Sequence, residues 1–308
     1  MKESHVLAGT IVANIIVINT CLVAEGSAVV APQVTPDADV CRYQPSAPAA
    51  ARLIDRAKFW SKMKEIVRHR ESFEYDFFEP VKNADGKQVK DASGRPMLKK
   101  RHEAISFNYN NVGAILSGAP KCTIEGIFDY WEISGGGDPK ILALSLSTAL
   151  KESNYTLQPE YIENLTGTNL PAYAKPDKHG HAYYGRGLTQ LTKIENYKTF
   201  ENRLGINLVN QPELAAVREY SIRILVDGAR LSLFNTKYGK VETYLNDTRS
   251  DWVRARGLVN PGSYRKRTTG YLACRFYDAV QPAYLQPAPV QDATLCMQLA
   301  RQVDDNPL

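Results

Sequence analysis

Two stretches of sequence decide how this chain is expected to fold: ILALSLSTALKESNYTLQPEYIENLTG, residues 141–167, and AYYGRGLTQLTKIENY, residues 182–197. Asp138 and Pro139 precede the first stretch, and an aspartate N-cap followed by proline at the first helical position is a common helix start. The residues that follow are apolar on most sides of a helix, so we expect the helix to be largely buried. We expect it to end near Glu152.

Glu152 and a second glutamate, Glu163, form a candidate acid and base pair. At the C-terminal end of a buried helix, the partial negative charge of the helix and the apolar surroundings disfavour the ionised form of Glu152. Glu163 lies in the polar segment ENLTG, which we expect to be a loop or short strand that leaves it ionised. A protonated and an ionised carboxyl can act as general acid and general base. The alternative interpretation is that both are ordinary solvated glutamates.

The second stretch carries a specific resemblance. Its segment YYGRGLTQLT, residues 183–192, resembles the YYGRG-x-x-QL-[ST] signature of the family 19 glycoside hydrolases, the chitinases and their phage and bacterial lysozyme-like relatives. The family's order is kept, because a glutamate-bearing helix comes before this segment and RGLVNPG, residues 256–262, comes after it. DYWE at residues 129–132 and TLQP at residues 156–159 are similar to stretches of phage-type members. The resemblance extends over residues 52–280.

The resemblance implies roles for individual residues. Glu152 would be the general acid that protonates the glycosidic oxygen, and Glu163 would be the general base that activates water. Thr192 would help to hold that water. The family is inverting and needs no metal or organic cofactor, which fits acid and base carboxyls about 6.5 to 9.5 Å apart with a water between them. The residues that would bind the sugar are Tyr184, Gln190, Asn196 and Asn260.

Three departures from the family pattern leave these roles open. Glu160 is a rival for the base, because the spacing differs slightly from that of other members. Lys151 stands where the family has histidine, and its charge would favour the ionised form of Glu152 unless it points away into solvent. In plant-type members an arginine and an acidic residue support the catalytic acid. Neither can be assigned in this chain, because Arg267 lies one position away from the expected place and Tyr264 stands where the acidic residue would be.

The residues around the signature have structural explanations as well as functional ones. Gly185 and Gly187 are expected to permit a tight turn with positive φ and a close approach of backbone. Arg186 either orients the substrate or braces the fold by pairing with a buried carboxylate. His179 and His181 are too isolated for a metal site, and we expect them to be loop histidines.

Composition fits one globular enzyme domain with additions at its ends. The chain has 308 residues, of which 44% are hydrophobic and 23% charged, and these are ordinary values for a globular protein. Its net charge is +5. Because the basic residues are dispersed rather than clustered, we expect no nucleic-acid partner.

The N-terminus predicts export. Residues 6–24 are nearly uncharged and apolar, and small residues follow, so residues 1–30 are expected to be a signal peptide cleaved between Ala24 and Ala31. The competing interpretation is an uncleaved membrane anchor. We therefore expect a secreted or periplasmic protein. Without the signal an even number of cysteines remains, which permits two disulfides in any of three pairings: Cys41, Cys122, Cys274 and Cys296.

The rest of the chain divides into a Pro/Ala-rich linker at residues 31–51, a catalytic domain at residues 52–280 and a Pro-rich tail with a short helix at residues 281–308. Two glycine-bearing turns predict a hairpin-like insertion at residues 79–101. Helical periodicity recurs in most other segments. We expect a mainly α fold, and a two-lobed lysozyme-like domain with a small β-hairpin.

Chitin and peptidoglycan both offer β-1,4 bonds to N-acetylglucosamine-type sugars. We expect peptidoglycan, because the chain lacks a cysteine-rich chitin-binding module and resembles phage and bacterial members more than plant ones. Sequons at Asn154 and Asn164 flank the candidate pair, where a glycan would obstruct a cleft, and this favours a bacterial protein. The alternatives are a chitinase and an inactive glycan-binding module. We expect a monomer, whose one protein partner would be an inhibitor if the chain is a toxin.

Overall fold

The computed structural model describes residues 52–68, 71–83, 87–107, 113–165, 170–260, 266–292 and 294–301. The predicted signal peptide and linker lie outside these residues. The described chain is mainly helical with a small two-stranded sheet, as predicted. Its α-helices are α1 (Arg56–Arg68), α2 (Gly118–Ile133), α3 (Pro139–Glu152), α4 (Ile194–Leu204), α5 (Arg218–Arg230), α6 (Trp252–Gly257), α7 (Lys266–Ala283) and α8 (Leu295–Arg301).

Helix α3 is the buried centre of the fold, and its predicted start and end are confirmed. The Asp138 side chain accepts a hydrogen bond of 2.8 Å from the backbone N–H of Lys140, and Pro139 is the first helical residue. Every residue from Pro139 to Leu150 is buried. A helix that is buried on all sides carries apolar residues on most of its faces, so the sequence of α3 has no distinct polar face.

Helix α3 packs most extensively against α7, which also contacts α1 and α6. Helix α5 packs against both α2 and α3. Together these helices enclose one large hydrophobic cluster that includes Trp131, Trp252 and Phe276. Trp60, predicted to be a core residue, is buried in it.

A second hydrophobic cluster lies around α4. It includes Tyr183, Leu191, Tyr197 and Phe200. The start of the signature segment and a position near its end therefore each contribute an apolar residue to this smaller cluster. The two clusters supply rigid support on which the intervening loops are built.

The glutamate of the DYWE stretch has a structural role. Glu132 Oε1 accepts hydrogen bonds from the backbone N–H groups of Leu53 and Ile54, at 2.9 and 3.0 Å. Its Oε2 pairs with Arg56 at 2.8 Å. This buried carboxylate thus ties the segment before α1 to the end of α2, and its charge is compensated where it lies.

The hairpin is longer than the predicted insertion. Strand β1 (Glu71–Pro80) pairs antiparallel with β2 (Leu98–Phe107), from Glu71 opposite Phe107 to Pro80 opposite Leu98. Beyond the strands, the backbone N–H groups of Val81, Met97 and Val89 donate in a closed ring to the carbonyl oxygens of Met97, Val89 and Val81. The described residues next to the strands therefore continue the hydrogen bonding beyond the hairpin.

A 3-10 turn, Pro212–Ala216, ends before α5 begins at Arg218. The tail contains a short helix, α8. It is tied to α7 by a disulfide between Cys274 and Cys296, and Cys122 is disulfide-bonded as well. In the part of the chain that is described, no helix has the length and apolar character needed to cross a membrane.

Candidate functional site

An open cleft of about 580 Å³ gathers most of the candidate residues. Its walls come from three parts of the chain: the end of α3 with the loop after it, the signature segment with Tyr173 before it, and the segment after α6. Thirteen residues line it: Lys151, Glu152, Asn154, Tyr161, Glu163, Asn164, Tyr173, Gly185, Thr189, Gln190, Thr192, Val259 and Asn260. Five of the seven predicted site residues are among them, including both glutamates.

Glu152 is the last residue of α3, and its carboxylate pairs with Arg256. Arg256 is the last arginine of the short helix α6 and is fully buried, whereas Glu152 is 18% exposed. Burial lowers the pKa of Arg256, and the nearby Glu152 carboxylate opposes that shift. The protein thus supplies a buried cation that compensates the charge of Glu152 where the helix end disfavours it.

Lys151 turns away from Glu152 toward its own following loop. Its Nζ donates a 3.0 Å hydrogen bond to the Tyr155 hydroxyl and lies 4.8 Å from the centre of the Tyr155 ring. The ion pair of Glu152 is made with Arg256 instead. The lysine nevertheless remains in the wall of the cleft.

Glu163 is held from two sides by neutral donors. The Tyr173 hydroxyl donates to Oε1 at 3.0 Å, and the backbone N–H of Gly185 donates to Oε2 at 2.9 Å. Its own backbone N–H donates to the Gly185 carbonyl at 2.8 Å, so main chain and side chain are fixed by the same glycine. Burial and the Glu163 carboxylate raise the pKa of Tyr173, which keeps this hydroxyl a donor.

Glu160, the rival for the base, does not line the cleft. It is exposed, three residues before Glu163, and its charge acts on Arg218. Of the two rivals, the cleft contains Glu163.

Gln190, Thr192 and Asn260 lie in the cleft wall as predicted. Gln190 Nε2 donates to the carbonyl oxygens of Tyr161 and Gly187, both at 3.2 Å, which fixes the amide against the glutamate-bearing loop. Asn260 is exposed and lies in the cleft wall just after α6, the helix that carries Arg256.

Tyr184 and Asn196 are not among the residues that line this cleft. Asn196 Nδ2 donates to the Thr192 carbonyl at 2.8 Å and so supports the cleft wall from behind. The Tyr184 ring stacks on the Arg186 guanidinium, whose central carbon lies 3.7 Å from the ring centre. Both residues therefore support neighbouring parts of the signature segment, and their predicted role in sugar binding stays a prediction.

Arg186 braces the turn. It is buried, and its Nη1 donates to the carbonyl oxygens of Ala182 and Tyr184 and to the Tyr197 hydroxyl, at 2.9, 3.3 and 2.9 Å. Burial raises the pKa of Tyr197 to about 12, so this phenol stays protonated. Main-chain carbonyls and a phenol accept these hydrogen bonds in place of the predicted carboxylate.

The two signature glycines differ in what they allow. Gly187 has φ +74°, and an added Cβ would overlap the Ala215 carbonyl oxygen. The prediction of positive φ is wrong for Gly185, and the positive φ of this turn occurs two residues later, at Gly187. Gly185 is required for close approach, since an added Cβ would lie 2.5 Å from Gln190 Oε1 and 3.2 Å from Glu163 Cβ.

Backbone in the left-handed region is concentrated at the cleft. Asn154, Tyr155 and Leu157 follow α3 with φ between 51° and 66°, and Gln190 and Lys193 have φ of 50° and 69°. Only one other non-glycine residue in the described chain, Ser232, has positive φ. Such conformations cost free energy and persist where the surrounding structure imposes them, which is typical of functional sites.

Arg256 and Tyr173 are the site residues that sequence reasoning missed. Arg256 begins the RGLVNPG segment, so the motif pointed to its neighbourhood but not to its contact with Glu152. Tyr173 lies in a connection without a distinctive pattern, and no sequence signal marks it. Among the residues that the structure describes, no cluster of His, Cys, Asp and Glu could hold a metal ion.

Two carboxyls in one cleft, one beside a buried cation and one held by neutral donors, can divide the roles of acid and base between them. Polar amide and hydroxyl groups around them suit a ligand rich in hydroxyl and amide groups. No family model matches the chain, and neither the curated proteins nor the solved structures contain a match to it.

Proposed function

We propose that this chain is an exported inverting glycoside hydrolase that cleaves β-1,4 bonds of an N-acetylglucosamine-containing glycan, with peptidoglycan as its substrate. The observation that carries the proposal is that Glu152 and Glu163 line the same cleft with different partners. The resemblance to family 19 glycoside hydrolases adds a two-lobed lysozyme-like arrangement to the proposal. The two hydrophobic clusters support that arrangement.

In this mechanism Glu163 acts as the base. Its two carboxylate oxygens each receive one hydrogen bond, and each retains a second lone pair that can accept from a water. Thr189 and Thr192 line the same cleft and offer hydroxyl groups to that water. The water would attack the anomeric carbon from the face opposite to the leaving group, which inverts the configuration in one displacement.

Glu152 acts as the acid and must carry a proton when the glycosidic bond breaks. Arg256 is the ion-pair partner of Glu152 in the structure, so binding of the glycan has to change this pairing. Substrate excludes water from the cleft, and desolvation disfavours a charged carboxylate. We therefore place the protonation of Glu152 in the substrate complex. Gln190, Asn260 and Asn154 are positioned to bind the amide and hydroxyl groups of the sugars.

The test is digestion of purified peptidoglycan in ¹⁸O-labelled water, with mass spectrometry of the products and NMR of the first-formed anomer. We expect products with the α configuration from β-linked glycan. Glu152→Gln and Glu163→Gln should each lower kcat by about 10²- to 10⁴-fold, the range for loss of a general acid or base. Retained configuration in the products would contradict the inverting mechanism.

The Glu152→Gln variant needs a stability control. Its substitution leaves the buried Arg256 without a counter-charge, which destabilises a protein. Unfolding midpoints of both variants therefore accompany the activity measurements. Glu163→Gln is the matched control, because Glu163 has no cationic partner among its described hydrogen bonds.

A second candidate function is glycan binding without cleavage. The observation that favours it is the ion pair between Glu152 and Arg256, because a carboxylate that serves as the structural partner of a buried arginine need not take part in proton transfer. In that case calorimetry would detect binding of a chitooligosaccharide or muropeptide, while the wild-type protein and Glu152→Gln would leave both intact.

A further inference from the structure

Lys151 is the only basic side chain among the residues that line the described cleft. The other two charged groups of that wall are Glu152 and Glu163. Arg256 compensates Glu152 from behind the wall, whereas Glu163 is held by a phenol and a backbone amide, which carry no charge. An anionic ligand that entered this cleft would therefore meet one cation, and without it would meet net repulsion.

The position of Lys151 is fixed by its neighbour. Nζ is held at 3.0 Å from the Tyr155 hydroxyl and at 4.8 Å from the ring centre. Tyr155 has φ +66°, so the backbone adopts an unfavourable conformation that places this ring beside the lysine. A lysine ammonium has three N–H donors, so a lysine in a cleft wall can bind a carboxylate while it keeps a hydrogen bond to a phenol.

We propose that Lys151 is a specificity-determining residue that binds a carboxylate of the glycan. The inference rests on the proposed function and deepens it. Chitin is uncharged, whereas the muramic acid residues of peptidoglycan carry a lactyl ether whose carboxyl is free or extended by an acidic peptide. A cation in the same cleft wall as Glu152 would select the second polymer by pairing with that carboxylate.

The experiment compares kcat/KM for a peptidoglycan-derived tetrasaccharide with free lactyl carboxylates and for a chitin tetrasaccharide. Lys151→Met removes the charge and keeps an unbranched side chain, and Lys151→Arg keeps the charge. We expect the ratio of the two kcat/KM values to fall about tenfold in Lys151→Met and to be largely kept in Lys151→Arg. A tenfold change corresponds to about 1.4 kcal/mol, which is close to the contribution of one hydrogen bond to a charged group.

A second arm changes the substrate instead of the protein. Amidation of the lactyl carboxylates should lower kcat/KM of the wild type about tenfold and leave that of Lys151→Met unchanged. The inference is overturned if Lys151→Met lowers both kcat/KM values by the same factor, since the lysine would then only support the loop. It is also overturned if the wild type prefers the chitin tetrasaccharide, an outcome that leaves the hydrolase proposal standing.

Binding distinguishes this inference from failure of the proposed function. If the wild type cleaves neither tetrasaccharide, the hydrolase proposal fails and calorimetric affinities of the same two ligands decide the role of Lys151. A selective loss of affinity for the carboxylate-bearing ligand in Lys151→Met supports the inference. Equal affinities in wild type and variant overturn it.

Discussion

Glu152 and Glu163 are identical side chains in one cleft, and their partners make them chemically different. A buried guanidinium faces the first, while a phenol and a peptide N–H face the second. At an effective dielectric of about 20, a unit charge about 4 Å away contributes about 4 kcal/mol, whereas a neutral hydrogen bond contributes about 1 kcal/mol. The nature of the partner therefore gives the two carboxyls different electrostatic surroundings.

The substitutions Gly185→Ala and Gly187→Ala form a matched pair of variants. In Gly185→Ala the new Cβ meets the end of the Gln190 side chain and the Cβ of Glu163. We expect these side chains to shift, so that kcat falls at least tenfold while the free energy of unfolding changes by no more than about 1 kcal/mol. Activity assays and urea denaturation measure the two effects.

Gly187→Ala should behave in the opposite way. Its Cβ meets the backbone of Ala215 and the Ser221 side chain at positive φ, and backbone cannot yield as a side-chain end can. We expect the unfolding free energy to fall by about 2 kcal/mol or more. Equal stability losses in the two variants would contradict this distinction.

Helix α3 is the element that carries Glu152, and what precedes and follows it sets the geometry of the cleft. Asp138 caps its first turn, and the buried run from Pro139 to Leu150 fixes its axis. After Glu152 the chain turns through the three positive-φ residues of the loop at 154–157. The position of the Glu152 side chain in the cleft therefore depends on both ends of the helix.

Substitutions of Asp138 test how much the N-cap of α3 contributes to stability. Loss of the cap in Asp138→Ala should lower the unfolding free energy by about 1 kcal/mol, whereas Asp138→Asn can still accept the hydrogen bond from Lys140. Burial raises the pKa of Asp138 above its ordinary 3.8, an effect that the Lys140 hydrogen bond opposes. The native protein thus holds this proton to higher pH than the unfolded chain does.

The sign of the pH effect follows from that shift. The Asp138 contribution is fully present below pH 3.8 and is lost as pH rises through the raised native pKa. Asp138→Asn cannot ionise, so its stability relative to wild type should increase between pH 3.8 and neutrality. Denaturation midpoints at both ends of this interval measure the change. A relative stability that decreases over the interval would show that the carboxylate is favoured in the native state.

For the whole molecule, the cleft depends on segments that are distant in sequence. The large cluster includes Leu157 and Leu258, beside the glutamate loop and the segment after α6, and the smaller cluster includes Tyr183 and Leu191 of the signature. Each wall of the cleft is thus anchored in packed core. Long-range packing keeps Arg256 against Glu152, 104 residues before it.

The Cys274–Cys296 disulfide holds the last helix to α7 across 22 residues of chain. Replacing both cysteines with serine should lower the unfolding free energy by about 3 kcal/mol, the value for a loop of this size when the disulfide restricts the unfolded chain. The cleft is formed by other segments, so kcat should change less than twofold under conditions where the variant is folded. A loss of activity in the folded variant would show that α8 influences the cleft. Denaturation of the double variant measures the stability change.

Local patterns were enough to predict helix α3 and a mainly helical fold. Apolar spacing and the Asp–Pro start define α3 within the sequence itself, because a helix is built from contacts between residues three and four apart. The glycine-bearing turns predicted a hairpin, although not its length, since strand pairing extends as far as both strands permit. The signature segment predicted where polar groups would face a cleft.

The partners of these side chains were decided by the tertiary structure. Nothing near Glu152 in sequence distinguishes Arg256 from the other arginines, and nothing near Glu163 marks Tyr173. Lys151 was expected to oppose the acid or to point to solvent, and its actual contact with Tyr155 depends on a positive-φ turn that the sequence does not announce. The sequence alone determined the helical framework, because its causes are local. Packing between distant segments decided which charge faces which carboxyl, because that contact exists only when the whole chain has folded.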